Sequence, residues 1–170
     1  MRIGKIICVA LSALLIAACA GTPFSAISET QIYLVRHAEK EPGRDPNLTP
    51  DGKVRAQALA GRLEDADLTT IYSTNTARTR QTAGPAALKA GVPVIYYDPK
   101  NLDAFAAQLL AQGKILVVGH SNTTPELVAA LGGEPGEPIV EATEYDRLYV
   151  LSIAEGTVST DLQRYGEPSP

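Results

Sequence analysis

Gln31-Ile-Tyr-Leu-Val-Arg-His-Ala-Glu-Lys40 opens with a short apolar run, Ile32 to Val35, that breaks straight into Arg36-His37-Ala38-Glu39. A run of aliphatic, β-branched and aromatic residues of this length predicts a buried strand ending in a polar tip. The chain has 2 histidines, and the second ends a similar run, Lys114-Ile-Leu-Val-Val-Gly-His120. Open α/β sheets bind ligands in the crevice beyond the carboxyl ends of their parallel strands. Both histidines are therefore expected where chemistry is done.

Outward from these runs, strand and helix signals alternate. The breaker-rich stretch Glu41-Pro-Gly-Arg-Asp-Pro-Asn47 reads as a loop. Thr49-Pro50-Asp51 then starts a helix: a hydroxyl cap, proline at the first helical position and an acid near the positive end of the dipole. Val54, Ala58, Leu59 and Leu63 are its expected apolar stripe. A short strand follows at Thr69–Tyr72, ending at Ser73. Its helix begins near Asn75 or Thr76, and Pro85 is expected to kink it or end it.

Val92–Tyr97 predicts a third strand, and Leu102–Leu110 a helix stopped at Gly113. The continuous apolar run Ile115–Val118 suits a central strand. Thr123-Thr-Pro-Glu126 starts a further helix. Two late strands, Arg147–Ile153 and Thr157–Tyr165, flank a Glu155-Gly156 turn as a hairpin. With no repeat and no second core, this order predicts one three-layer α/β/α sandwich around a mostly parallel sheet.

The first residues read differently. Arg2 and Lys5 precede an uncharged, mostly apolar stretch, Ile6–Ala18, shorter than the roughly 20 residues of a membrane span. The layout is that of a secretory signal. Leu15-Ile-Ala-Ala-Cys19 resembles a bacterial lipoprotein signal, cleaved before the cysteine that is then acylated. The expected organisation is signal peptide 1–18, lipidated Cys19, tether 19–30, domain 31–165 and a frayed tail 166–170. Cys8 leaves with the signal, so no thiol pair remains for a disulfide. The predicted location is the bacterial envelope, on the periplasmic face. Removing Arg2 and Lys5 from 15 basic residues leaves 13 against 19 acidic ones, a net charge of −6. That balance argues against a nucleic-acid partner.

The predicted crevice gathers Arg36-His37, Ser73, Gly119-His120 and, one turn into a helix, Arg78. Guanidinium groups fork onto phosphate oxygens, and helix N-termini aim N–H groups at anions. A neutral imidazole in such a place can attack phosphorus or move protons near neutral pH.

Here the sequence resembles a known family. Arg36-His37-Ala38-Glu39 is similar to the Arg-His-Gly motif of the histidine phosphatase superfamily, phosphoglycerate-mutase-like branch. Ser73-Thr-Asn-Thr-Ala-Arg78-Thr-Arg-Gln81-Thr82-Ala83 resembles that branch's Ser-Ser…Arg-Ala-x-Gln-Thr-Ala stretch. Val117-Val-Gly-His120 matches its second histidine motif, and Leu48-Thr-Pro-Asp-Gly52 its Leu-Thr-x-x-Gly. The resemblance implies that His37 becomes a phosphohistidine, while Arg36, Arg78 and His120 hold the phosphoryl oxygens. Ser73 and Asn122 are candidates for added hydrogen bonds or for helix caps. Ala38 stands where the family has glycine, which a negative φ would allow.

The family's general acid has no obvious counterpart, since His120 is followed by Ser121. Asp98 is the best placed by sequence, with Asp103, Glu144 and Glu39 behind it. The implied function is a cofactor-free, metal-free phosphatase acting on a small-molecule or protein phosphomonoester and releasing inorganic phosphate. A phosphomutase, a phosphate-binding module with little or no turnover and a metallohydrolase are the alternatives. The last has no His-x-x-x-His, Cys-x-x-Cys or His-Glu-x-x-His spacing behind it.

Overall fold

The computed structural model describes residues 30–110 and 113–169. The expected signal segment, Cys19 and nearly all of the expected tether lie outside the described residues. Six strands form one sheet: β1 (Thr30–Arg36), β2 (Thr70–Ser73), β3 (Val94–Tyr96), β4 (Lys114–Gly119), β5 (Arg147–Ala154) and β6 (Thr157–Arg164). Their order is β3-β2-β4-β1-β5-β6. The first four run parallel, and β5 and β6 add an antiparallel hairpin at one edge. Glu155 (φ 51°) and Gly156 (φ 77°) turn that hairpin in the left-handed conformation a two-residue loop requires.

Helices α1 (Pro50–Arg62), α2 (Ala77–Ala90), α3 (Leu102–Leu109) and α4 (Thr123–Ala130) cover the two faces. Alternation along the strands sorts the core into two layers. Ile32, Leu34, Ile115 and Val117 pack with Phe105 and Leu109 of α3 and Leu127 and Val128 of α4. Val35, Leu116 and Val118 pack with Leu59 and Ala60 of α1 and Ala83 and Ala86 of α2. The three-layer sandwich expected from the sequence is the observed fold, with the apolar β4 at its centre.

Three local expectations are corrected. Pro85 does not end α2, which runs on to Ala90 and stops at Gly91 in the left-handed conformation. The stripe read for α1 holds at Leu59 and Leu63, which are buried, but not at Val54, which is 65% exposed; Ala56 and Ala60 complete the buried face instead. Arg55 is buried beside them because Glu39 pairs with it at 2.7 Å. Nor is the tail frayed. Glu167 accepts a bond from Arg55, while Ser169 accepts from the Tyr145 N–H and donates its own N–H to Asp146.

Candidate active site

Register brings the histidines together. Arg36 of β1 pairs with Gly119 of β4, so His37 and His120 each lie one residue past adjacent parallel strand ends. The His37 N–H still donates to the Gly119 carbonyl, continuing the ladder by one step. The two rings stand edge to face, with centroids 5.6 Å apart. On the other side of β4, Thr74 follows β2 and donates its N–H to Val118. Three strand ends thus converge on one cleft of about 490 Å³. His37, Arg78 and His120 line it, together with Lys40, Lys100 and Asn122.

Hydrogen bonds fix the ring chemistry. His37 Nδ1 lies 2.8 Å from the Ala38 carbonyl, which can only accept, so Nδ1 carries the proton. Nε2 is left without a proton, its lone pair unshared. Ala38 is held in turn: its N–H donates to Thr82 Oγ1, and Thr82 donates to the Arg78 carbonyl. Ala38 keeps a negative φ and packs with Leu48 and Ala56, so the departure from glycine costs the turn nothing. Gln81, next to Thr82, accepts from the Leu48 N–H and donates to Asn47, tying the Glu41–Asn47 loop to α2.

His120 takes the opposite tautomer. Arg78 Nη2, a permanent donor, approaches its Nδ1 at 3.4 Å. Its Nε2 therefore carries the proton and meets Thr74 Oγ1 at 3.0 Å, which donates onward to Thr79. Burial, against a bond to Ala38 that favours the charged form, pushes the His37 imidazole down to about 3, with Arg36, Arg78 and His120 adding to the effect. Burial and then the Arg78 and Arg36 charges push His120 down to about 4. Both rings are neutral at physiological pH.

The arginines are placed unequally. Arg78 reaches into the cleft, with Asp45 3.8 Å from its Nη1, and its buried Nε–H is unpartnered. Asp45 also accepts the Ala77 N–H, so the N-terminus of α2 is not an open anion site. Arg36 does not extend a fork into the cleft. Its Nη atoms donate to the carbonyls of Glu144 at 2.8 Å and Glu141 at 2.7 Å, and its guanidinium stacks 4.0 Å over the Tyr145 ring. Its Nε–H is buried and unpartnered. The Nε–H groups of Arg36 and Arg78 are thus two buried donors with no protein acceptor.

The acid candidates do not converge there. Asp98 is exposed and turned back onto the Lys100 N–H. Glu39 is engaged by Arg55, away from the cleft. Asp103 sits in the exposed first turn of α3. Glu144 is buried between Arg147 and Arg164 as part of the frame. Ser73 is fully buried and spends its hydroxyl on the Thr74 carbonyl, whereas Asn122 does line the cleft. Sequence reasoning missed Thr74, Tyr145 and Glu141. Glu141 is the one carboxylate among the cleft-lining residues. Among the described residues, no group of three His, Cys, Asp or Glu side chains is arranged to hold a metal ion.

Residues 32–99 match the family model for the histidine phosphatase superfamily, branch 1. The match takes in the first histidine motif and the Arg78 stretch, and less than half of the chain. Solved histidine phosphatase folds resemble it over most of their length. The protein histidine phosphatase SixA complexed with tungstate has a TM-score of 0.65 at 20% identity, covering 80% of this chain and 97% of that one. A chain described as a phosphohistidine phosphatase SixA from Nakamurella multipartitia has a TM-score of 0.59 at 24% identity, covering 82% and 96%. A mycobacterial glucosyl-3-phosphoglycerate phosphatase with inorganic phosphate has a TM-score of 0.62 at 16% identity, covering 79% and 95%. At these identities the likeness shows the shared fold. No curated protein matches the chain.

Proposed function

We propose that the protein is a phosphatase that hydrolyses phosphomonoesters through a phosphohistidine on His37. The observation that carries this reading is the tautomer of His37: Nδ1–H is spent on Ala38, and a bare Nε2 stands in a cleft lined by basic residues. The superfamily match and the relatives solved with phosphate or tungstate support it.

In this mechanism His37 Nε2 attacks phosphorus, the P–O ester bond breaks and the leaving oxygen takes a proton. Arg78 and the Arg36 Nε–H offset the charge on the phosphoryl oxygens, and His120 joins them by turning its Nε2–H from Thr74 to the phosphoryl group. Glu141, the cleft's carboxylate, supplies the proton as its acid form, then takes one from the water that cleaves the P–N bond. Phosphate leaves, and His37 and the Glu141 acid are restored. The chain's near-complete span of SixA makes a protein-borne phosphoryl group the second reading of the substrate. Release of phosphate from p-nitrophenyl phosphate by the wild type, and its loss in His37→Ala, tests turnover against simple phosphate binding.

The envelope location is part of the proposal and rests on Leu15-Ile-Ala-Ala-Cys19. Cys19→Ser is expected to move the full chain from the membrane to the soluble fraction.

A further inference from the structure

A second cavity, of about 540 Å³, adjoins the histidine cleft. The two share Ser121, Asn122 and Glu141 as lining residues, so the groove begins at the rim of the cleft that holds His37. Their chemistry differs. The cleft is basic, whereas the adjoining groove is walled by Pro125, Glu126 and Ala129 of α4 on one side and by Pro135, Pro138 and Ile139 on the other, so its surface is mainly apolar with carboxylates at its edge.

The far wall is built rather than collapsed. Arg147 donates to the carbonyls of Glu137 and Pro138, and the Tyr149 hydroxyl donates to Pro135. Glu144 holds Arg147 from below with 2.6 and 3.0 Å bonds and also accepts the Val140 N–H. Arg36 fixes the carbonyls of Glu141 and Glu144. These bonds lock residues 135–144 in place, so the groove exists before any ligand arrives. Volumes of roughly 300–1,000 Å³ with apolar walls and a few polar groups at one end are typical of small-molecule sites.

We infer that this groove is the subsite for the organic part of the substrate, and that it selects an apolar alkyl or aryl group attached to the phosphoryl head. The inference rests on the phosphatase reading for the position of the head alone. A phosphoryl group at His37 must direct its substituent past Glu141 and Asn122 if the substituent is to enter the groove. Compact polyhydroxylated phosphates leave the groove wet and gain nothing from it.

The test is a binding series on the full chain with n-alkyl phosphonates from methyl to octyl, followed by calorimetry. Phosphonates carry the same head without a cleavable ester, so the readout does not depend on turnover. Affinity is expected to rise by up to about fourfold per methylene buried, then level off when the groove is full. Ala129→Arg, at an exposed helical position, is expected to abolish that rise, whereas Leu88→Arg, exposed near the C-terminal end of α2 and outside both cavities, keeps it. A flat series in the wild type overturns the inference, as does a rise that survives in Ala129→Arg. A phosphopeptide that binds more tightly than octyl phosphonate through an Ala129-sensitive contact assigns the groove to a polypeptide and overturns the small-molecule reading. Failure to turn over any phosphomonoester, with the chain-length rise intact, would instead count against the phosphatase reading alone.

Discussion

The rings of His37 and His120 meet edge to face at 5.6 Å because Arg36 and Gly119 are partners in adjacent parallel strands. Neither ring has an acidic partner, and each is held neutral by burial and neighbouring guanidinium charge. An ordinary histidine titrates near 6.5. With folded values of about 3 and about 4, the unfolded chain binds more protons than the native one below pH 6.5. Stability therefore falls as pH drops from about 6.5 toward 3. Thermal melts should show this loss, and His120→Asn should shallow it. The same values place the enzyme's own acid limb in kcat/KM well below pH 6.5, because the free imidazole stays neutral.

Arg78 and Arg80 are separated by one residue, but only Arg78 enters the cleft. Arg80 bonds to Asn75 at the surface. Arg78→Ala should lower kcat by about 10²–10³, the usual cost of one transition-state donor, and weaken tungstate or phosphate binding. Arg80→Ala should leave both within about twofold. Steady-state kinetics on the two variants checks this.

Glu141 and Glu144 have opposite tasks. Removing Glu144 leaves Arg147 buried without its carboxylate and Arg164 paired with Asp146 alone, which should destabilise the fold by about 3–5 kcal/mol. Denaturant unfolding of Glu144→Ala reads that loss. Glu141→Gln should leave stability unchanged within about 0.5 kcal/mol, as exposed substitutions do. Its signature is a leaving-group effect: slow turnover of alkyl phosphates, about 10²–10⁴-fold down, with p-nitrophenyl phosphate much less affected.

The periodicity of β1 and β4 and the helix signals at Thr49 and Thr123 made the layered fold legible, because those residues pack locally as their pattern says. The motifs located His37, His120 and Arg78, and the structure supplies the reasons for their companions. A Cβ at Gly52 would collide with the Glu39 carbonyl, and Thr82 clamps the Ala38 N–H. What sequence could not give was direction. Arg36 and Glu39 flank His37 and Ala38 in the chain, yet one staples the 140–144 loop and the other pairs with Arg55. Glu141 carried no motif at all. It enters the cleft because Arg36 holds its backbone across 105 residues of sequence.

Gly119 is a sensitive neighbour of His120. A Cβ there would lie 2.9 Å from the Tyr97 hydroxyl and from Thr124 Oγ1, and 3.2 Å from Thr123 Oγ1. Thr123 Oγ1 accepts the His120 N–H, so displacement passes directly to the ring. Gly119→Ala should keep the fold, lower Tm by several degrees and reduce kcat more than it raises KM. Circular dichroism melts with parallel kinetics check the pairing of these effects.

The central claim is that His37 Nε2 bonds to phosphorus. Brief mixing with a 32P-labelled monoester, followed by alkaline quench, should trap label on the wild-type chain that acid then removes, as a phosphoramidate requires. His37→Ala should trap none, while Arg78→Ala traps less. Label of equal amount on His37→Ala, or no label on the wild type during measurable turnover, would contradict the account.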